Sequence, residues 1–116
     1  MKKSFTIIGL LILTGCSSVI SSSDLYDFGE EQAMSGAVKL DRIDVKKRTL
    51  RQSVTEEDYK LYLDGYTNAL SEFCTNENAK RFGLAGKTYN GTCDDINPQF
   101  KPIYAEAYEF RAFVEQ

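Results

Sequence analysis

The sequence predicts an all-α fold, a small bundle of three to four helices. Two observations lead to this prediction. Apolar residues between Tyr59 and Phe73 recur at the 3.6-residue spacing of a helix that is apolar along one face. Ser, Thr, Asp and Asn stand where helices would begin, and Gly stands where a helix would end.

The first predicted helix begins at Asp24, whose side chain can cap it, and runs to about Ala37. The next segment, residues 38–52, carries many charges and shows weak periodicity. We therefore predict a loop there, with a short helix near residues 44–51.

The second helix is the most clearly predicted. Ser53-x-x-Glu56 and Thr55-x-x-Asp58 both fit the capping-box pattern, and the sequence leaves open which of them caps the helix. The acidic residues at this point suit the positive end of a helix dipole. Cys74 lies just at the predicted end.

Two further helices are predicted after Cys74. The first is short and is stopped by Gly86. The last begins at Asn97-Pro98, with Pro at the first helical position. Pro102 must then lie in the first turn, or the helix must start later, because Pro disrupts a helix interior.

The first and the second predicted helices share a weak internal repeat, in which Gly and Ala are four residues apart. Its copies are Tyr26-x-x-Gly29-x-x-x-Ala33-Met34-Ser35 and Tyr62-x-x-Gly65-x-x-x-Ala69-Leu70-Ser71. Residues four apart share a helix face, and a Gly inside a helix costs up to about 1 kcal/mol against Ala. We therefore expect Gly29, Ala33, Gly65 and Ala69 to be notches for helix packing, with a ligand cleft as the alternative.

The N-terminus has the organisation of a signal peptide. Two lysines precede an apolar run, residues 5–13, which is far shorter than the ~20 residues that cross a bilayer. The run ends in Leu13-Thr14-Gly15-Cys16, which resembles the lipobox of bacterial lipoproteins. The resemblance implies cleavage before Cys16, an S-diacylglycerol on its thiol and an N-palmitoyl group on its amine. The alternative is an ordinary signal peptide with a Cys there by chance.

This interpretation divides the chain into a signal peptide at residues 1–15, an acylated Cys with a flexible Ser-rich spacer at 16–23, and a small helical domain at 24–116. With Cys16 assigned to lipid, Cys74 and Cys93 remain as an even pair in an oxidising periplasm, and we expect them to form a disulfide. A reduced thiol nucleophile is the alternative. The predicted fold is then a small bundle of three to four helices stapled by one disulfide.

Composition excludes several classes of function. The chain contains no His, which removes Ser-His-Asp and Cys-His catalysis and His-based zinc sites. Loss of residues 1–15 removes two lysines and no acid, so the net charge would change from −3 to −5. A general nucleic-acid binder would be basic. The exception to the acidic character is a basic segment formed by Lys46, Lys47, Arg48 and Arg51. It is a candidate contact patch for anionic lipid, glycan or an acidic partner, and the alternative is a solvated face that balances the acids.

The second half of the chain carries a longer pattern: Tyr62-x-x-Gly65-x-x-x-Ala69-Leu70-x-x-Phe73-Cys74, then Asn78-Ala79, then Gly83-x-x-Gly86-x-x-Tyr89-x-Gly91-x-Cys93. It resembles a family of small bacterial envelope lipoproteins that is defined only as a domain of unknown function. Ala69 and Phe73 stand where that family often has Gly and Tyr. The resemblance implies no chemistry, so no catalytic residue is transferred.

The function predicted from the sequence is a membrane-anchored bacterial lipoprotein, a non-enzymatic accessory or interaction module of the envelope. Ser17 suggests, by resemblance to Gram-negative lipoproteins, an outer-membrane position facing the periplasm. We expect membrane lipid as a partner through Cys16, an envelope protein or glycan as a second partner, and no nucleic acid, cofactor or metal. The alternative is a hydrolase of cell-wall glycans, which would need two carboxylates across a cleft. The candidate groups are Glu30/Glu31, Glu56/Glu57/Asp58 and Asp94/Asp95.

Overall fold

A computed structural model describes residues 22–116, which form five α-helices and no strand. The helices are α1 (Ser22–Met34), α2 (Arg42–Thr49), α3 (Glu56–Phe73), α4 (Asn76–Leu84) and α5 (Phe100–Val114). The prediction of an all-α fold with one disulfide is confirmed. The predicted signal peptide, the lipid-bearing Cys16 and most of the spacer lie outside the described residues.

Three helix starts differ from the predicted ones. Helix α1 begins at Ser22, so Asp24 lies in its first turn and does not precede it. Helix α2 begins at Arg42, before the predicted start near residue 44, and Asp41 caps it by accepting a hydrogen bond from the Asp44 N–H. Helix α5 begins at Phe100 and not at Pro98, which leaves Pro102 in its first turn, where a missing N–H costs no hydrogen bond.

Of the two capping boxes, the structure uses the one at Thr55. The Thr55 side chain accepts from the Asp58 N–H, and the Asp58 carboxylate accepts from the Thr55 N–H, both at 3.1 Å. The same kind of cap starts α4, where Thr75 accepts from the Asn78 N–H. These bonds satisfy N–H groups that a helix start leaves without partners.

Helices α1 and α3 run side by side in the same direction. Gly29 lies against the Tyr62 carbonyl and the Tyr66 N–H, while Gly65 lies against the Tyr26 carbonyl. At the other end, the residues just after α1 lie beside the end of α3. A Cβ on either glycine would overlap the partner's backbone, so the absence of side chains is what allows this crossing. Ala33 and Ala69 are buried in the same core.

Helices α4 and α5 form a second parallel pair. The Asn97 amide, just before α5, donates to Asn76 at the start of α4. Gly83, near the end of α4, lies against the Tyr104 carbonyl and Ala107. Each pair therefore needs a segment that returns along its length, residues 35–55 in the first and 85–99 in the second.

Each pair has its own apolar core. The first core contains Leu25, Ala33, Val45, Val54, Tyr62, Tyr66 and Ala69, and the second contains Phe73, Cys74, Ala79, Phe82, Cys93 and Phe100. Phe73 at the end of α3 packs its ring on Phe82 and Phe100, which couples the first pair to the second. Among the helices of residues 22–116, none combines the length and apolar character that a membrane span requires.

Candidate interaction surfaces

Three tyrosines of α3 hold the segment that leads into α2. The Tyr59 hydroxyl donates to the Leu40 carbonyl and the Tyr62 hydroxyl accepts from the Leu40 N–H, both at 2.9 Å. The Tyr66 hydroxyl donates to the Ala37 carbonyl at 2.8 Å. Burial raises the pKa of Tyr62 and of Tyr66. These bonds determine where α2 lies on the α1–α3 pair.

Helix α2 has one buried face and one exposed face. Val45 and Thr49 are buried, and the Thr49 hydroxyl donates to the Val45 carbonyl at 2.7 Å. Ile43 and Leu50 point away from the core and are 64% and 81% exposed. Two large apolar side chains therefore stand in solvent on α2 and at its C-cap, and α2 is the most basic of the described helices.

The predicted basic patch is divided by the structure. Lys46, Lys47 and Arg48 are exposed on α2. Arg51 turns inward, because its guanidinium pairs with the Asp58 carboxylate at 3.4 Å, with only 16% and 15% of the two side chains exposed. Arg51 therefore supports the start of α3, and the exposed patch is made by the bases that precede it.

A groove of about 640 Å³ lies between α4 and α5. Its walls are Lys80, Leu84, Ile103, Glu106, Ala107 and Phe110. Phe110 is 61% exposed, and Phe113 and Val114 continue an exposed apolar surface towards the end of α5. The lining is mostly apolar, with one ammonium and one carboxylate.

The segment closed by the disulfide, residues 74–93, is called the disulfide knuckle, and Tyr89 makes its central hydrogen bonds. Cys74 and Cys93 are bonded, which joins the end of α3 to the segment between α4 and α5. The Tyr89 hydroxyl donates to the Asp94 carboxylate at 2.7 Å and accepts from the Cys93 N–H at 3.0 Å. Burial, together with the hydrogen bond to Asp94, raises the pKa of Tyr89 to about 12. The Asn97 amide also donates to the Cys74 carbonyl at 3.0 Å. The knuckle is thus held together by its own hydrogen bonds.

The carboxylates considered for a hydrolase lie on separate elements: α1, the start of α3 and the segment between α4 and α5. The Asp58 carboxylate caps α3, the Asp94 carboxylate accepts from Tyr89, and the Glu30 carboxylate accepts from an amide on α3 at 3.3 Å. Among the described residues that line the α4–α5 groove, the one carboxylate is that of Glu106, which belongs to none of the candidate groups. Within residues 22–116 no three His, Cys, Asp or Glu side chains are placed to hold a metal ion.

Sequence reasoning missed the tyrosine contacts and the exposed apolar residues of α2. The spacing of Tyr59, Tyr62 and Tyr66 marks one helix face, but it does not say that three hydroxyls reach one return segment. The exposure of Ile43 and Leu50 could not be read from the predicted short helix near residues 44–51, because that range leaves out Ile43 and the structure places Leu50 just past the end of α2.

Comparison with known proteins gives a family but no activity. A family model described as a protein of unknown function (DUF2799) matches residues 24–109. A protein of Escherichia coli (strain K12), described as uncharacterized protein YfiL, is 30% identical over 104 residues, which cover 83% of this chain and 79% of that protein. No solved structure matches the chain.

Proposed function

The chain belongs to the DUF2799 family of proteins of unknown function, and we propose that it is a membrane-anchored bacterial lipoprotein that serves as a non-enzymatic accessory or interaction module of the cell envelope. The anchor is the acylated Cys16, and the domain that it carries starts at α1. The position is the outer membrane of a Gram-negative bacterium, with the domain facing the periplasm.

The anchor is supported by the N-terminal sequence. A basic start, an apolar run too short to cross a bilayer and Leu13-Thr14-Gly15-Cys16 follow one another in the order of a lipoprotein signal. Stable anchoring takes at least two membrane-binding signals, and a diacylated or triacylated Cys meets that requirement. The disulfide between Cys74 and Cys93 fits an oxidising compartment.

The interaction role rests on one observation, the exposure of large apolar side chains on two separate elements. Ile43 and Leu50 project from α2, and Phe110, Phe113 and Val114 project from α5. Contiguous exposed apolar surface on a small domain typically marks a site of contact with a protein or a membrane. By contrast, several polar groups that could do chemistry, including Asp58, Tyr89 and Asp94, hold caps and turns.

Metabolic labelling tests the anchor. The full chain is expressed in a Gram-negative host grown with radiolabelled palmitate, beside Cys16→Ser and a Cys74→Ser/Cys93→Ser double variant as controls. We expect label in the parent chain and in the double variant, and none in Cys16→Ser. Equal label in Cys16→Ser, or no label in any chain, would refute the proposed anchor.

A further inference from the structure

The exposed face of α2 combines apolar and basic side chains. Ile43 and Lys47 are four residues apart on α2 and share its outward face, and the exposed Leu50 is the residue that directly follows the helix. Val45 and Thr49 occupy the opposite, buried face. Two exposed apolar side chains therefore stand near the start of α2 and just past its end, with Lys47 between them in sequence.

Leu50 is held outward by the backbone. It ends α2 with a φ of 55°, the left-handed conformation that usually favours Gly at a helix end. The Leu50 N–H donates to the Lys47 carbonyl and the Arg51 N–H donates to the Lys46 carbonyl, which closes the helix end. Since 81% of the Leu50 side chain is exposed, the folded domain gains little burial from it.

The charge around Ile43 and Leu50 is positive on a protein that is acidic overall. Residues 39–48 contain five bases and two acids, whereas the whole chain has a net charge of −3. The bases Lys39, Arg42, Lys46, Lys47 and Arg48 are all exposed. Of the two acids, Asp41 is engaged as the cap of α2, and Asp44 lies 3.6 Å from Lys47. The patch is thus complementary to an anionic surface.

The end of α2 lies close to the point where the N-terminal tether enters the domain. Parallel packing places the start of α1 beside the start of α3, because Gly29 in α1 contacts the backbone at Tyr62. Arg51, which follows Leu50, pairs with Asp58 in the first turn of α3. Six residue-to-residue steps separate Cys16 from Ser22, and a chain of that length spans at most about 22 Å. An acyl chain on Cys16 would therefore keep the exposed face of α2 within reach of the bilayer.

We propose that α2 docks on an anionic phospholipid surface, with Ile43 and Leu50 in the interfacial region and the lysines against lipid phosphates. This arrangement is that of a short interfacial helix, in which apolar burial and attraction to anionic lipid act together. It deepens the proposed function and rests on it, because the lipid anchor supplies the first membrane contact and α2 the second. The domain then takes up a defined orientation, with α2 against the membrane.

Tryptophan fluorescence tests the docking, because the chain contains no Trp of its own. The full chain is purified from the bacterial host as Ile43→Trp, Leu50→Trp and, as a control on the other helix pair, Leu84→Trp. Leu84 is also exposed. Each variant is reconstituted with vesicles of phosphatidylcholine alone, or of phosphatidylcholine and phosphatidylglycerol in equal amounts, with brominated acyl chains as quencher.

We expect a blue shift and strong quenching at positions 43 and 50 in the vesicles that contain phosphatidylglycerol, and neither at position 84. Adding Lys46→Glu and Lys47→Glu to Ile43→Trp should reduce its quenching to the level of Leu84→Trp. The matched charge reversal Lys80→Glu and Arg81→Glu, at exposed positions on α4, should leave the quenching of Ile43→Trp unchanged.

Quenching at 43 and 50 that does not exceed quenching at 84 would overturn the proposal, and this result is also expected if α2 binds an acidic protein. Flotation of the unsubstituted chain separates the docking from the anchor. If the chain floats with neutral vesicles but the indole of Ile43→Trp stays in water, the anchor stands and the docking fails. If the chain floats only with vesicles that contain phosphatidylglycerol and the Ile43→Trp fluorescence is quenched, the docking stands and the anchor fails.

Discussion

At the residue scale, Tyr89 shows how one side chain organises the disulfide knuckle. Its hydroxyl bonds both to the Asp94 carboxylate and to the Cys93 N–H, next to the bridged sulfur. Its ring packs on Phe100 and Tyr104 of α5. Because burial disfavours the ionised phenolate and the hydrogen bond to Asp94 favours the neutral hydroxyl, the pKa of Tyr89 is raised from 10.0 to about 12.

This shift predicts a pH dependence of stability. A group whose pKa is higher in the folded state stabilises the fold fully below its unfolded pKa, and that contribution is lost as the pH rises through the folded pKa. We expect Tyr89→Phe to lower the free energy of unfolding by about 1–3 kcal/mol at neutral pH, through the lost hydrogen bonds. The difference in unfolding free energy between the parent chain and Tyr89→Phe, here called the gap, should narrow between pH 10 and about 12.

Urea unfolding over a pH series measures this gap. The comparison isolates Tyr89 because the other tyrosines with raised pKa, Tyr26, Tyr62 and Tyr66, are present in both proteins. A gap that stays constant up to pH 12 would show that the ionisation of Tyr89 does not oppose folding.

At the scale of elements, the crossing of α1 and α3 depends on two glycines used in the same way. Gly29 lies against the Tyr62 carbonyl and Gly65 against the Tyr26 carbonyl, so the two copies of the sequence repeat contact each other reciprocally. The repeat is thus explained as a parallel, nearly symmetric helix crossing. The cost of a helical glycine is offset by the packing that the short distance between the backbones permits.

Gly65→Ala should therefore destabilise the domain although Ala favours helix formation. The added Cβ would overlap the Tyr26 carbonyl, and overpacking of this kind costs about 1–3 kcal/mol. Thr67→Ala, at an exposed position of the same helix, should change stability by less than about 0.5 kcal/mol. Urea unfolding followed by circular dichroism compares the two, and a Gly65→Ala protein as stable as the parent would contradict the assigned crossing.

At the scale of the whole molecule, two parallel helix pairs are joined end to end. The α1–α3 pair and the α4–α5 pair share the aromatic contacts of Phe73, and the Cys74–Cys93 bridge fastens the end of α3 to the return segment of the second pair. The bridge closes a loop that contains the residues of α4, so it limits the conformations of that loop in the unfolded chain.

Removal of the bridge should therefore weaken the whole domain. The two cysteines are 19 residues apart, and a loop of this size corresponds to about 3 kcal/mol in the chain-entropy model. We expect Cys74→Ala/Cys93→Ala to lose about that much free energy of unfolding in urea. The parent chain in reductant should lose a similar amount. A reductant effect that persists in the double variant would show that it does not act through this bridge.

Much of the helical organisation was predictable because its signals are local. The Thr55–Asp58 box, the acidic first turn and the apolar stripe of α3 act within a few residues of one another. The sequence left open whether α5 starts at Pro98 or later, because Asn97 and Pro98 also suit a turn. There the Asn97 side chain accepts from the Gln99 N–H and delays the helix to Phe100.

The sequence by itself determined the helical class, the pairing of Cys74 with Cys93 and the presence of two small-residue motifs at matching positions. Only the tertiary structure decided that the helices pair in parallel, that Arg51 turns inward to Asp58, and that Ile43 and Leu50 remain outside both cores. The physical reason is how far apart along the chain the interacting residues lie. Capping and periodicity are set by neighbours along the chain, whereas the side chains that become buried depend on segments that meet only after the return loops close.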